Sequence, residues 1–369
     1  MARWDTGEGL RFFADHVWEA FGKLDAEFDE EIQGIADGAA ARGVDVSKDV
    51  LVAWNGYNEL LGGWWTTCHP DTNVKPVWAR SGPHRCSAFV CTGEASADGK
   101  VVMAHNTWDR YAMGDNYNIV LDITPGSGHR MLMQAVPGYI SSTMDWAVTD
   151  AGLMITESTI GGFDGFAAGL DPEFQRSRRA AQYSGSMREW YRTMCKDNNG
   201  GYANTWLLGE TGTKRIARVD LGLKHQGYEE QSSGYFAGYN VAADLRVRNQ
   251  ECSNPGEYSD IRGNGARRVR WDQLFATHQG KVDVALAQQM IADHFDVCTE
   301  EPDSPSSRTI CGQSTDRTDA GARRDPPLRW GSAGSASTTG QLIAMDRRPM
   351  PAARPRSESP DPRGPPSLR

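Results

Sequence analysis

No apolar run in this chain approaches the roughly 18 residues that a membrane-spanning helix requires, and no C-x-x-C pair occurs anywhere in it. Histidines and cysteines also fail to cluster at zinc-ligand spacing, so no metal site and no cofactor are expected from the sequence. A basic stripe interleaved with aromatics is likewise missing. The 39 Lys and Arg residues are outnumbered by 48 Asp and Glu, for a net charge of -9, which excludes a nucleic-acid partner. The opening "MARWDTGEGLRFFADHVWEAFGKLD" has the spacing of an amphipathic helix, not the charged head and apolar centre of a signal peptide. The expectation is a soluble chain with no visible address, long enough to bury a large core without staples.

Seven cysteines are present, at 68, 86, 91, 195, 252, 298 and 311. If one is a working thiol, the other six could pair in an oxidising compartment or serve as small buried hydrophobes. Cys86 is the one whose setting is suggestive. It ends an unpatterned stretch, residues 62–85 ("GGWWTTCHPDTNVKPVWARSGPHR"), rich in Gly, Pro and Asn, which predicts an exposed loop. It also begins the strand-like "CSAFVCTG", which turns at "ADGK" into "VVMAHNTW". Cys91 lies an odd number of residues further along, on the opposite face of the strand, so only one of the two can face a pocket.

Ahead of that hairpin, residues 7–42 show helical spacing and end on Gly43. After it come further strands to about residue 160, helices over 173–195, the strands "NTWLLGE" and "KRIARVDL", and helices near 266–277 and 282–294. Runs of strands followed by runs of helices predict an α+β layered fold. From Ser314 the character changes: nine of the 18 prolines, ten arginines against six acidic residues, and almost no apolar pattern. Such a tail cannot build a packed core and is expected to be disordered or aberrant. The chain thus divides into 1–85, a helical region and linker; 86–313, the core; and 314–369, the tail.

A thiol attacks only as its thiolate, and no histidine stands in a local signature that would pair with Cys86. A break between Arg85 and Cys86 would supply a base on the same residue, because the new α-amine, with a pKa of roughly 7.7–8.0, can take the thiol proton. The ordinary role for a strand cysteine is a buried hydrophobe, and the spacing does not by itself exclude it.

Here the sequence resembles the cysteine N-terminal-nucleophile hydrolases, above all the phospholipase B-like and isopenicillin N acyltransferase-like autoproteolytic proteins. The likeness lies in "EIQGIADGAAARGVDVSKDVLVAWNGYNEL", "CSAFVCTGEASADGKVVMAHNTWD", "NNGGYANTW" and "VRNQECSNPGEYSDIRGNGARRVRWDQLF", with "DHFDV" and "SSRTICG" after it. It implies a four-layer αββα sandwich of the N-terminal-nucleophile type, with 1–85 removed or separated by autoproteolysis. It implies Cys86 as nucleophile, Asp109 near the carboxylate that holds the α-amine, Asn204 as the oxyanion amide and Arg267 near amine and substrate. Arg268 and Arg270 are close rivals, but two residues apart on a helix they take different faces.

His105, Asn106 and Trp108 in the hairpin, and Thr159 in "GLMITEST", are candidates to line the substrate site. Glu157 shares the strand face of Thr159, and a charged surface edge is its ordinary reading. The implied reaction is cleavage of an acyl ester or amide through an acyl-thioester, with a small acyl molecule or lipid as partner. Transfer to an amine, or a processed scaffold without turnover, are the alternatives. The resemblance also implies a secreted or periplasmic protein. Nothing in the sequence defines an oligomeric state.

Overall fold

The computed structural model describes residues 6–68, 85–108, 119–142, 146–304, 306–311 and 341–344. Two antiparallel sheets form its centre. The first has the order β10-β1-β2-β11, from β1 (Arg85–Gly93), β2 (Gly99–Trp108), β10 (Gly234–Gly238) and β11 (Gln341–Ala344). The second runs β3 to β9 in sequence order: Ile119–Ile123, Met131–Ala135, Trp146–Thr149, Leu153–Thr159, Asn204–Glu210, Arg215–Leu221 and Gln226–Gln231.

Strand alternation builds the layers. Along β1, Ala88 and Val90 turn inward with Val101 and Met103 of β2, and meet Val148, Met154, Leu207 and Ile216 of the second sheet. Phe89 and Cys91 turn outward with Val102 and Ala104, and pack under the helices Gly265–Thr277 and Val284–Ile291 through Trp271, Phe275 and Met290. Outward residues of the second sheet, among them Met133, Ile155, Trp206 and Val219, meet Ala180, Trp190 and Met194 of the helices Glu173–Tyr183 and Met187–Cys195. Helix, sheet, sheet and helix follow in turn, the four-layer αββα order that the resemblance implies.

The N-terminal helices Thr6–Ala20, Ala26–Ala40 and Lys48–Asn55 place their apolar stripe (Phe13, Val17, Phe28, Ile32, Val52) in a core shared with Ile140, Phe166 and Phe174. Polar clips reinforce it. Arg178 bonds both carboxylate oxygens of Glu31, and Arg179 pairs with Asp25 at 2.7 Å. Buried Glu59 accepts from the Glu173 amide at 2.8 Å and from Asn199 Nδ2 at 2.6 Å. The "NNGG" run shapes this last contact. Asn198 and Asn199 each bond the amide two residues on, Gly200 takes φ +76°, and a Cβ on Gly201 would come within 2.9 Å of Glu59.

One expectation changes, and two pairings were not foreseen. Residues 62–68 are helical: Tyr57–Glu59 runs on through a π turn, Leu60–Trp64, to Trp65–Cys68, with Leu60 and Trp64 buried, so the apolar side chains there outweigh the glycine punctuation. Strands β9 and β10, which follow one another in sequence but join different sheets, were not legible, because polar "QGYEEQ" and the five-residue, glycine-flanked "GYFAG" gain their order from pairing with β8 and β1. In the tail, the backbone of Gln341–Ala344 pairs antiparallel with residues 102–105 of β2, using the tail's one apolar run.

Candidate active site

Cys86 stands second in β1, a central strand with β10 on one side and β2 on the other, and is 2% exposed. Its main chain is gripped from both ends. The amide donates to Asn240 Oδ1 at 2.9 Å. The carbonyl accepts from Arg267 Nη1 at 2.6 Å and from Ser158 Oγ at 3.3 Å. Asn240 itself sits just after β10 at φ +61°, a left-handed conformation that Asn tolerates better than most residues. That conformation is fixed by Asn240 N donating to Ser158 Oγ at 2.9 Å and Nδ2 donating to the Thr159 carbonyl at 2.6 Å.

Arg267 is the hub. It is fully buried in the helix Gly265–Thr277 and spreads its guanidinium over Cys86 O, Ser87 Oγ (3.1 Å), Tyr239 O (2.9 Å), Asn240 Oδ1 (2.7 Å) and Asn264 Oδ1 (2.9 Å). Its Cζ also lies 4.8 Å from the centre of the buried Trp108 ring. A planar fork with fixed donors suits five acceptors in a dry site, where a lysine would not reach them. The rivals point elsewhere: Arg268 bonds Tyr258 O and Asp272, and Arg270 bonds Asp293.

The hairpin sorts its candidates by face. His105 pairs opposite Ala88 and shares its inward face, whereas Asn106, opposite Ser87, turns outward and donates to the Ile291 carbonyl. Asn106 is therefore fastened to a helix end and is not on the Cys86 side. His105 is buried, and burial presses its pKa down to about 3, so the ring is neutral. Thr107 Oγ1 lies 3.4 Å from its Nδ1, and Nε2 has no hydrogen-bond partner among the described residues.

Glu157 is not a surface edge. It is fully buried, because β6 is the fourth of seven strands and is covered on both faces. A carboxylate oxygen of Glu157, a ring nitrogen of His105 and Cys86 Sγ all lie within 4.8 Å of one another. Spacing along the chain could not reveal this trio, since each member comes from a different strand.

Asn204 opens β7, pairs with Thr159, and is buried with neither amide atom hydrogen-bonded among the described residues. Thr159 Oγ1 bonds the Tyr202 hydroxyl at 3.2 Å. Asp109 lies outside the described residues. Asn240 and Ser158 were missed: Ser158 stands between two residues that were singled out, and Asn240 carried no motif. Met103, Met154 and Trp146 belong to the core between the sheets. No disulfide joins any of the cysteines at 86, 91, 195, 252, 298 and 311.

The sequence pattern of the family described as Phospholipase B matches residues 15–221, more than half of the chain and inclusive of Cys86. The chain belongs to the phospholipase B family. It is 25% identical over 247 residues to a phospholipase B of Crotalus adamanteus, covering 59% of this chain and 44% of that protein. Against a putative phospholipase B-like 1 of Caenorhabditis elegans the figures are 29% over 165 residues, 43% and 26%, and against an uncharacterized protein of Archaeoglobus fulgidus 26% over 188 residues, 50% and 30%. The chain thus spans less than half the length of these relatives. Among solved structures, two variants of a conjugated bile acid hydrolase from Clostridium perfringens align at TM-scores of 0.37 and 0.34 with 9% and 10% identity, covering 54% of this chain and 76% of theirs.

Proposed function

We propose that the chain is a self-processing cysteine hydrolase that cleaves an acyl ester or linear amide bond, with Cys86 as its nucleophile. The observation that carries this reading is the grip on Cys86, whose amide and carbonyl are both pinned by buried side chains from three other elements. A thiol packed as a mere hydrophobe needs no such frame, and Cys91, on the other face of the same strand, lies among apolar residues of the helix-covered core.

In processing, Cys86 Sγ attacks the Arg85 carbonyl and the Arg85 acyl group moves from nitrogen to sulfur. Water then hydrolyses the thioester, leaving a carboxylate on residue 85 and a free α-amine on Cys86. Asn240 Oδ1, already accepting from the Cys86 amide, would accept from that amine and hold it beside the thiol. The Glu59, Glu31 and Asp25 clips would keep the severed N-terminal region bound.

In turnover, the α-amine takes the thiol proton and the thiolate adds to the substrate carbonyl. Asn204 then donates to the oxyanion, the departing alcohol or amine takes the proton back, and water resolves the acyl-thioester. The relatives named phospholipase B favour a lipid ester, or a related amide, as substrate. Purified protein should give two chains by intact mass, one beginning at Cys86, and Cys86→Ala should give one. Hydrolysis of p-nitrophenyl esters should rise with acyl length. An uncut chain that turns over substrate overturns the α-amine mechanism, and a cut chain inert to esters and amides overturns the hydrolase.

A further inference from the structure

Three buried side chains of different chemistry converge where no sequence motif announced a site. Cys86 comes from β1, His105 from β2 and Glu157 from β6, so both sheets contribute, and their ligand atoms lie within 4.8 Å of one another. We propose that this trio binds a Zn2+-class cation, and that the bound ion caps Cys86 and reversibly blocks it. The binding stands on geometry alone, and only its effect on turnover rests on Cys86 being the nucleophile.

The donor set selects the ion. Thiolate, imidazole and carboxylate together suit borderline-soft Zn2+, whereas Mg2+ and Ca2+ require oxygen ligands. Bonds of about 2.3 Å to sulfur and 2.0 Å to nitrogen set tetrahedral neighbours roughly 3.5 Å apart, so the trio closes by side-chain movements of about 1 Å. His105 is prepared for the role. Its Nδ1 side faces Thr107 Oγ1, while Nε2 is buried with no hydrogen-bond partner among the described residues. Metal-bound histidines are oriented by a partner at the second ring nitrogen in the same way.

Binding exchanges the thiol proton, released to solvent, for a sulfur–metal bond, while nitrogen and carboxylate oxygen donate lone pairs and water fills the fourth position. Sulfur so bound has no free thiolate to attack a carbonyl. Cys91 cannot substitute, because it lies on the opposite face among apolar residues.

The test uses the full purified chain and Co2+ as a spectroscopic probe. One Co2+ per chain should produce a thiolate-to-metal charge-transfer band that Zn2+ displaces. Cys86→Ser should lose the band, and His105→Gln and Glu157→Gln should weaken binding at least about tenfold. Zn2+ should also slow iodoacetamide labelling of Cys86 in the unaltered protein, mapped by mass spectrometry, and leave Cys298 unchanged, a measurement that needs no variant to fold. Absence of the band, its persistence in Cys86→Ser, or equal labelling of Cys86 with and without Zn2+ overturns the site. Co2+ binding through Cys86 in a chain without hydrolysis would sink the hydrolase reading and leave the metal site standing. Active protein indifferent to Zn2+ would do the reverse.

Discussion

Asn240 Oδ1 accepts from the Cys86 amide at 2.9 Å and from Arg267 Nη2 at 2.7 Å, so one amide oxygen joins the candidate nucleophile to the buried cation that frames it. Asn240→Gly keeps the left-handed backbone and removes the acceptor. A buried amide and a guanidinium N–H then lose a partner, which should cost roughly 1–3 kcal/mol of stability and slow processing. Asn240→Ala should cost about 1–2 kcal/mol more, because φ +61° strains a residue with a Cβ and no local hydrogen bond. Urea denaturation of the three proteins measures both steps, and a glycine variant as stable as the parent would discard the link.

Arg267→Lys should behave as a severe change despite keeping the charge. A single ammonium cannot reach five buried acceptors on three different segments, and those left over lose hydrogen bonds in a dry site. We expect a stability loss of roughly 3 kcal/mol or more, together with an uncut chain. Arg268→Lys, half-buried on the same helix with its bonds to Tyr258 O and Asp272, should cost no more than about 1 kcal/mol. Thermal melts of the pair, read beside gel analysis of processing, separate the two. Equal effects would mean that the fan of bonds has no special weight.

The two cysteines of β1 should differ in chemistry as they differ in direction. Burial pushes Cys91 up to about 12, so almost none of it is thiolate near neutral pH. Iodoacetamide at about pH 8 should leave Cys91 unlabelled until the chain is unfolded. Peptide mapping before and after denaturant decides this, and early labelling of Cys91 would contradict the helix-covered face assigned to it.

The layer order was readable because strand alternation and helix periodicity were each strong where a face was buried, as in "CSAFVCTG" and "EFDEEIQGIADGAA". Strands β9 and β10 were not, since each is short with little apolar pattern and takes its order from the neighbouring strand of its own sheet. Cys86 and Arg267 were legible through quoted segments around them. Asn240, Ser158 and the buried state of Glu157 were not, because their place depends on which strand lies beside which. The period-two rule put Glu157 and Ser158 on opposite faces, yet both come to the Cys86 residue, one at the thiol and one at the carbonyl. The "NNGG" segment was legible as a match but not as a mechanism: its turn holds Glu59 and thereby the N-terminal region.

That turn sets a pH dependence. Burial raises Glu59 from 4.5 to about 7, against the opposing pull of Asn199, the Glu173 amide and Arg176. The unfolded chain ionises this carboxyl above its ordinary value, whereas the folded chain keeps it protonated until about 7. The folded state therefore binds the extra proton, and its advantage is complete below pH 4.5, shrinks as pH rises to about 7 and is gone above, a change on the order of 3 kcal/mol. Glu59→Gln should flatten that slope. Urea titrations at about pH 5 and pH 8 compare the two, and a parent protein whose Glu59-dependent stability rises with pH would reverse the assignment.

Asn204 separates a catalytic amide from a structural one. It is fully buried at the start of β7, yet neither side-chain atom has a hydrogen-bond partner among the described residues. A structural asparagine in that position would already be bonded, because a buried amide without partners costs about 1–3 kcal/mol. Removing it should therefore leave stability nearly unchanged or slightly improved. If Asn204 donates to the oxyanion, the same change should lower kcat about 10²- to 10³-fold, equivalent to roughly 3–4 kcal/mol of transition-state stabilisation, with KM little altered. Asn204→Ala measured for both unfolding free energy and ester hydrolysis gives the two numbers on one protein. Large loss of stability with unchanged kcat in the folded fraction would assign Asn204 to the fold. Stability retained with kcat collapsed would assign it to the reaction.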